Sequence, residues 1–307
     1  MLEQAWNSAR RWAAEARAQQ KQARRQAHLS LVIAAIAALL AALVAAVGAP
    51  SPPAVGASTT FPWHWTSLVS AGAGVLAAIS ALFGRHVLDS KAEAQWIAAR
   101  AAAEATQSEC FRYAARVAPY DGDDRTAART FDETTGAIAD SARAKGAINL
   151  QPGTPNPERP PPPTDMTVEW YRKNRLATQQ KWYMERAGAH QKQANQLRML
   201  ALGFGILAAT LGILGAVNGL SFLTAGVGAL TTIAASIAAY GSLDRLSFLT
   251  GSYSGMADAI GRLLGRYDAR LLDDKKLVEE CENLLSSEYR AWADRMVNPG
   301  QSNGGSA

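Results

Sequence analysis

Apolar and polar positions alternate along this chain in long blocks. Residues 29–48, 65–83, 199–217 and 222–240 contain no Asp, Glu, Lys or Arg. As a helix, each block extends about 30 Å, the thickness of a bilayer's hydrocarbon core. The first block holds ten Leu, Ile and Val residues, which corresponds to an insertion free energy of roughly −3 to −5 kcal/mol. The other three are rich in Gly and Ala and are marginal singly. Buried helices of a soluble bundle are the alternative, but the connections 49–65 and 218–221 are also free of charge, and loops facing water on a soluble protein would carry some. The pattern predicts an all-α integral membrane protein with four transmembrane helices.

The polar blocks predict helices that continue out of the membrane. Tyr253, Ala257, Ile260, Leu264, Tyr267 and Leu271 recur at helical spacing, and Val278, Cys281, Leu285, Tyr289 and Trp292 form a second stripe. Leu176, Tyr183, Ala187 and Ala194 precede the third apolar block, and Trp96, Ala99, Ala103, Cys110 and Ala114 follow the second. One sticky face per helix predicts a cytoplasmic helical bundle formed by the helix extensions.

The string from Ala18 to Ala23, AQQKQA, recurs from Ala189 to Ala194 as AHQKQA, each just ahead of an odd-numbered apolar block. This internal duplication divides the chain into a two-helix unit at 1–148, a Pro-rich linker at 149–164, a second two-helix unit at 165–297, and a polar, Gly-rich tail at 298–307 expected to be disordered.

Charge sets the orientation. Arg10, Arg11, Arg17, Lys21, Arg24 and Arg25 precede the first apolar block, whereas the uncharged loops lie opposite, so both termini are expected in the cytoplasm and the protein in the inner (cytoplasmic) membrane. The net charge of +5 suits anionic lipid on that side, and no basic cluster with interleaved base-reading residues points to nucleic acid. The first apolar block begins only at Leu29, after a polar arm, so a cleavable signal peptide is not read.

Candidate chemistry is sparse. Cys110 and Cys281 stand alone, and His28, His64, His86 and His190 have no metal-ligand spacing. The strings starting at Gly72 and Gly203 fit a dinucleotide fingerprint on paper but fall inside apolar blocks, where small residues serve helix packing. No phosphate loop, nucleophile elbow or paired carboxylates are found, so neither an enzyme nor a cofactor is expected. In the fourth block Leu223, Val227, Leu230, Ile233 and Ile237 form one stripe and Thr224, Gly228, Thr231, Ala235 and Ala238 another. The small face either packs on a neighbouring helix or, with Ser70, Gly74, Ala77 and Ala81 of the second block, lines a weakly polar pore in a homo-oligomer. No apolar block contains a charged residue, which disfavours a proton-coupled transporter.

The string from Ala103 to Tyr113, AEATQSECFRY, followed by Ala118-Pro119-Tyr120, resembles the signature of the SLATT family, the SMODS- and SLOG-associating two-transmembrane effectors. The second unit resembles a sister type through Trp170 to Leu176, Gln180, Trp182, Tyr183 and Ala187, and through Leu277, Val278, Glu282, Glu288 and Trp292. The chain departs at Gln107, where the signature has a lysine. The resemblance implies a membrane effector of bacterial conflict systems, acting by pore formation or membrane disruption with a partner that senses or makes a nucleotide signal. It carries over Glu104, Arg112, Tyr113, Pro119, Tyr120, Arg175, Trp182, Tyr183, Glu282, Glu288 and Trp292 as contacts within the cytoplasmic bundle. A non-conducting scaffold that recruits partners is the competing reading.

Overall fold

The computed structural model describes residues 1–47, 72, 74–75, 79, 90–147, 160–218, 221–243 and 246–297. The expected span at 65–83 (apart from the helical residues 72, 74, 75 and 79), most of the Pro-rich linker, and the tail lie outside the described residues. Every regular element among the described residues is helical, and none is a strand. In chain order they are α1 (Leu2–Val47), α2 (Ser90–Ala114), α3 (Asp124–Ala144), α4 (Val168–Tyr171), a π-helical turn (Arg172–Leu176), α5 (Ala177–Asn218), α6 (Ser221–Leu243), α7 (Leu246–Asp268) and α8 (Asp274–Val297).

The helices form two compact units that cut across the two sequence halves. A polar unit contains Met1–Gln22, Asp89–Ala187 and Gly251–Ala307, and an apolar unit contains Ala23–Leu88 and Gly188–Thr250. Both halves of the chain contribute to each unit, and α1 and α5 each supply residues to both.

In the polar unit, alanines set the packing. Ala98, Ala99, Ala102 and Ala103 of α2 face Trp12 and Ala16 of α1 and Ala142 at the end of α3, with Ala147 beyond it. Methyl side chains let helix backbones come close, and the indole of Trp12 fills the space that they leave. The stripe expected on α7 is shifted. Tyr253, Met256, Ala257, Ile260 and Leu263 are buried, whereas Leu264 and Tyr267 are half-buried and Leu271 is 70% exposed. The helix ends at Asp268, and Arg270 turns the chain with φ +60°, so Leu272 rather than Leu271 reaches the core.

The same helix-stop recurs in both halves. After α2, Arg116 adopts φ +54° and the Val117 N–H donates back to the Arg112 carbonyl at 3.2 Å. After α7, the Leu271 N–H donates to the Arg266 carbonyl at 2.9 Å. Each is a left-handed cap that satisfies orphan carbonyls at a helix end. Each is followed by an aspartate that starts the next helix. Asp123 accepts the Arg125 and Thr126 N–H groups, both at 3.0 Å, and Asp273 accepts the Lys276 N–H at 2.8 Å. The acidic run around Asp123 is thus a helix cap.

In the apolar unit large side chains point outward. Leu29, Val32, Ile36, Leu39 and Leu43 form an exposed stripe on α1, as Met199, Leu202, Ile206 and Ile213 do on α5. The stretches Leu2–Val44 and Val168–Ala216 each contain a window long and apolar enough to cross a membrane, and only 6% and 11% of those windows is buried. Core helices of a soluble protein would be mostly buried. The exposure therefore suggests a membrane protein. Gly226–Ala238 of α6 is apolar but shorter. Helices α5 and α6 meet through glycine: a Cβ built on Gly212 would lie 3.7 Å from Val227, and one on Gly226 3.6 Å from Leu211. Near the C-terminal end of α6, the Tyr240 hydroxyl meets His28 Nε2 of α1 at 3.3 Å.

Candidate functional site

The densest polar chemistry among the described residues lies inside the polar unit, and a fault in helix register builds it. Thr167 caps α4 by accepting the Trp170 N–H at 3.2 Å. The backbone then winds one wide turn, in which the Ala177 N–H reaches the Arg172 carbonyl five residues back, before α5 resumes. Such a turn stacks residue i above i+5, whereas an α-helix would set them about 140° apart. Tyr171 and Leu176 are consequently both fully buried. The turn joins two registers on one face: Tyr171 and Arg175 before it, and Leu176, Tyr183 and Ala187 after it.

Arg175, 5% exposed, is the charge that this turn delivers to the interior. Its Nε donates to Glu282 Oε1 and its terminal nitrogen to Oε2, both at 3.1 Å. The Tyr171 hydroxyl donates to the same Oε1 at 2.8 Å. Glu282 of α8 is wholly buried, so three donated hydrogen bonds replace the water that its carboxylate gave up. The guanidinium lies 4.5 Å from the centre of the Phe111 ring of α2, whose edges also meet Tyr171 and Trp6. Burial works against the Arg175 charge, but Glu282, Tyr171 and Glu104 together outweigh it and hold the proton more tightly than usual. Cys110 and Cys281 sit nearby as buried free thiols. Burial, with the neighbouring carboxylate charge of Glu109 or Glu282, raises both, Cys281 to about 12, so neither is a thiolate near neutral pH.

Two further clusters extend this one. Trp182, Tyr183 and Tyr253 contact one another with ring centres 5.0–5.6 Å apart. Beside them Glu288 accepts the Ser252 hydroxyl at 3.2 Å and the Tyr183 hydroxyl at 3.4 Å, and burial pushes its carboxyl above the usual range. At the far end of α2, Tyr113 stacks on Phe131 at 4.5 Å and meets Tyr120 edge-on. The Tyr120 hydroxyl donates to Glu109, and Arg112 donates to Asn283 of α8, both at 2.5 Å.

Most of the motif positions read from sequence thus converge on the packing of α2 against α8 and the chain around the π turn. Glu104 is half-buried on α2, and its charge is felt by Arg175 and Tyr183. Pro119 is exposed in the loop after α2, preceded by a cis peptide bond. The Trp292 side chain lies outside the described residues. Phe111 and Tyr171 fall inside the motif strings without being motif positions, and no sequence pattern marks Trp6, yet these rings enclose the ion pair. Among the described residues no three His, Cys, Asp or Glu side chains converge as a metal would require.

The candidate pore face is less completely described. Gly74 is helical and exposed, but Ser70, Ala77, Ala81 and the Thr224 side chain lie outside the described residues. On α6, Gly228, Thr231 and Ala235 are exposed, whereas Val227, Leu230, Ile233 and Ile237 are half-buried. Within this chain the large stripe turns inward and the small face outward. Its hydroxyls are used locally: Thr231 donates to the Val227 carbonyl at 2.9 Å, and Thr232 to the Gly228 carbonyl at 2.8 Å.

The class these observations define is an all-helical protein with two helices long and apolar enough to cross a bilayer, and with a polar unit stapled by a buried ion pair. Residues 171–292 match the family model described as SMODS and SLOG-associating 2TM effector domain 1, and residues 8–128 match one described as a protein of unknown function, DUF4231. Residues 171–292 are thus similar to a SLATT-type effector domain, and the two matches together are consistent with a SLATT-type protein. The first match spans the Tyr171, Arg175, Glu282 and Glu288 positions, and the second spans Trp6's neighbour Trp12, Phe111 and Tyr120. No curated protein and no solved structure matches it.

Proposed function

We propose that this protein is a membrane effector of a bacterial conflict or nucleotide-signalling system that crosses the inner membrane four times, as two tandem two-helix units, and acts as a homo-oligomeric pore or membrane-disrupting assembly. Both termini and the polar unit are cytoplasmic in this reading, and a separate protein that senses or makes a nucleotide signal triggers it. The chain acts by rearrangement, without catalysis. The observation that carries the reading is the outward small face of α6, with Gly228, Thr231 and Ala235 exposed while the large stripe is turned in. Small residues let helices of different subunits approach closely. The matched family's description as an effector domain gives the direction. Since α1 and α5 each run without interruption from residues of the polar unit into apolar sequence, a rearrangement of the polar unit has a stiff path into the bilayer.

The experiment is dye and ion leakage from vesicles or cells carrying the full chain. Leakage that Gly228→Leu with Thr231→Leu abolishes, while the protein remains inserted, supports the pore. Absence of leakage under every trigger supports the second reading, a non-conducting scaffold that recruits partners through its helical bundle. The bonding of the Thr231 and Thr232 hydroxyls to their own helix backbone favours that reading, since they offer little to an ion.

A further inference from the structure

The apolar unit carries Arg24, Arg25, Arg85, Lys192, Arg198 and Arg245 against one carboxylate, Asp244. That excess is the whole formal net charge of +5, and the polar unit is balanced. A unit made largely of uncharged helix therefore holds all of the chain's uncompensated charge.

The packing puts Arg25, Lys192 and Arg198 at one end. Only two residues separate the end of α5 at Asn218 from the start of α6 at Ser221, so the contact of Gly212 with Val227 folds the two helices back antiparallel. Counting back from Gly212 to Arg198 and forward from Val227 to Tyr240 gives nearly the same number of residues, so both lie about 20 Å from that contact on the same side. The hydrogen bond between Tyr240 and His28 then brings α1 to the same level, one turn from Arg25. Arg25, Lys192 and Arg198 are exposed, and among the described residues none makes an ion pair. Immediately beyond them the exposed surface is apolar: Leu29 and Val32 on α1, Met199 and Leu202 on α5. A row of free cations on one edge of an outward apolar band is complementary to a lipid that has an anionic headgroup above its acyl chains.

We propose that this rim binds anionic phospholipid, and that Arg25, Lys192 and Arg198 select it over zwitterionic lipid. The inference rests on the membrane reading above. Arginine and lysine stems follow the hydrocarbon boundary while their charged ends meet phosphate oxygens, a contact that phosphatidylcholine offers only with its own cation attached. A soluble anion would meet the cations but not the apolar band.

The test reconstitutes the full chain in vesicles of phosphatidylcholine mixed with a minority of phosphatidylglycerol, extracts it with its surrounding lipid in polymer nanodiscs, and measures the ratio of the two lipids retained. The expected result is enrichment of phosphatidylglycerol over the bulk, weakened by salt, and falling by up to roughly fivefold for each cation neutralised in Arg25→Gln, Lys192→Gln and Arg198→Gln. Arg129→Gln on α3 of the polar unit serves as the control that keeps the enrichment, and Arg25→Lys with Arg198→Lys retains it if charge is what matters. A bulk lipid ratio around the wild type, or enrichment unchanged in the triple glutamine variant, overturns the proposal. Protein that washes off all vesicles, including those without phosphatidylglycerol, instead overturns the membrane reading beneath it.

Discussion

In the polar unit, Arg175 is withdrawn from water yet meets both oxygens of Glu282, a tyrosine hydroxyl and the face of Phe111; in the apolar unit, Arg25, Lys192 and Arg198 stand exposed with no ion-pair partner among the described residues. The contrast follows from what surrounds each unit. A packed interior can hold a charge only by supplying the partner itself, and the partner must come from another element, here α8. Helices bounded by hydrocarbon have no such means, so their charges gather where the apolar surface ends. Burial of a charge thus marks a fixed joint in one unit, and exposure of charge marks a boundary in the other.

The largest effect should come from unbalancing the joint. Glu282→Gln or Arg175→Met is expected to destabilise the folded polar unit by about 3–5 kcal/mol, since each leaves a buried charge alone. Combining Arg175→Met with Glu282→Leu should recover most of that loss, as read by thermal unfolding of helix signal in detergent. A double variant no better than the singles would mean that the network, rather than the unpaired charge, sets the cost. Phe111→Leu keeps the volume roughly but removes the ring beneath the guanidinium, and a loss of about 1–2 kcal/mol is expected in the same measurement.

Glu288 sharpens the comparison by pH. Its carboxyl is raised by burial, so the folded state holds its proton at a pH where the unfolded chain has released it. Stability from this group is therefore greatest at low pH and is lost as pH rises through the raised value. Glu288→Gln should gain on wild type as pH rises across that window and lose the advantage below it. The capping aspartates Asp123 and Asp273 have the opposite sign: hydrogen bonds from Thr126 and Lys276 lower them, and their contribution fades as pH falls. The smallest effects lie at helix ends. Arg270→Gly should stabilise by up to about 1 kcal/mol because glycine accepts positive φ freely, whereas Gly146→Ala, at φ +78°, should cost a similar amount.

The apolar blocks at 29–48 and 199–217 were legible in sequence because exclusion of charge is a compositional signal that needs no knowledge of partners. Arg175 and Glu282 were legible only through resemblance, because a pair separated by 107 residues leaves no local pattern. The π turn was missed for a definable reason. The stripe read from Leu176 through Tyr183 and Ala187 is a sound helical register, and so is the spacing of Tyr171 and Arg175; only the one-residue slip between them reveals an extra residue in the turn. Periodicity places Leu271 on a buried stripe because it does not show that Arg270 has already ended the helix.

The account depends most on what surrounds Leu29, Val32, Met199 and Ile206. Washing membranes from cells expressing the full chain with alkaline carbonate, then sedimenting them, asks this directly. The protein should remain in the pellet until detergent is added. Intact, folded chain recovered in the detergent-free supernatant would contradict it.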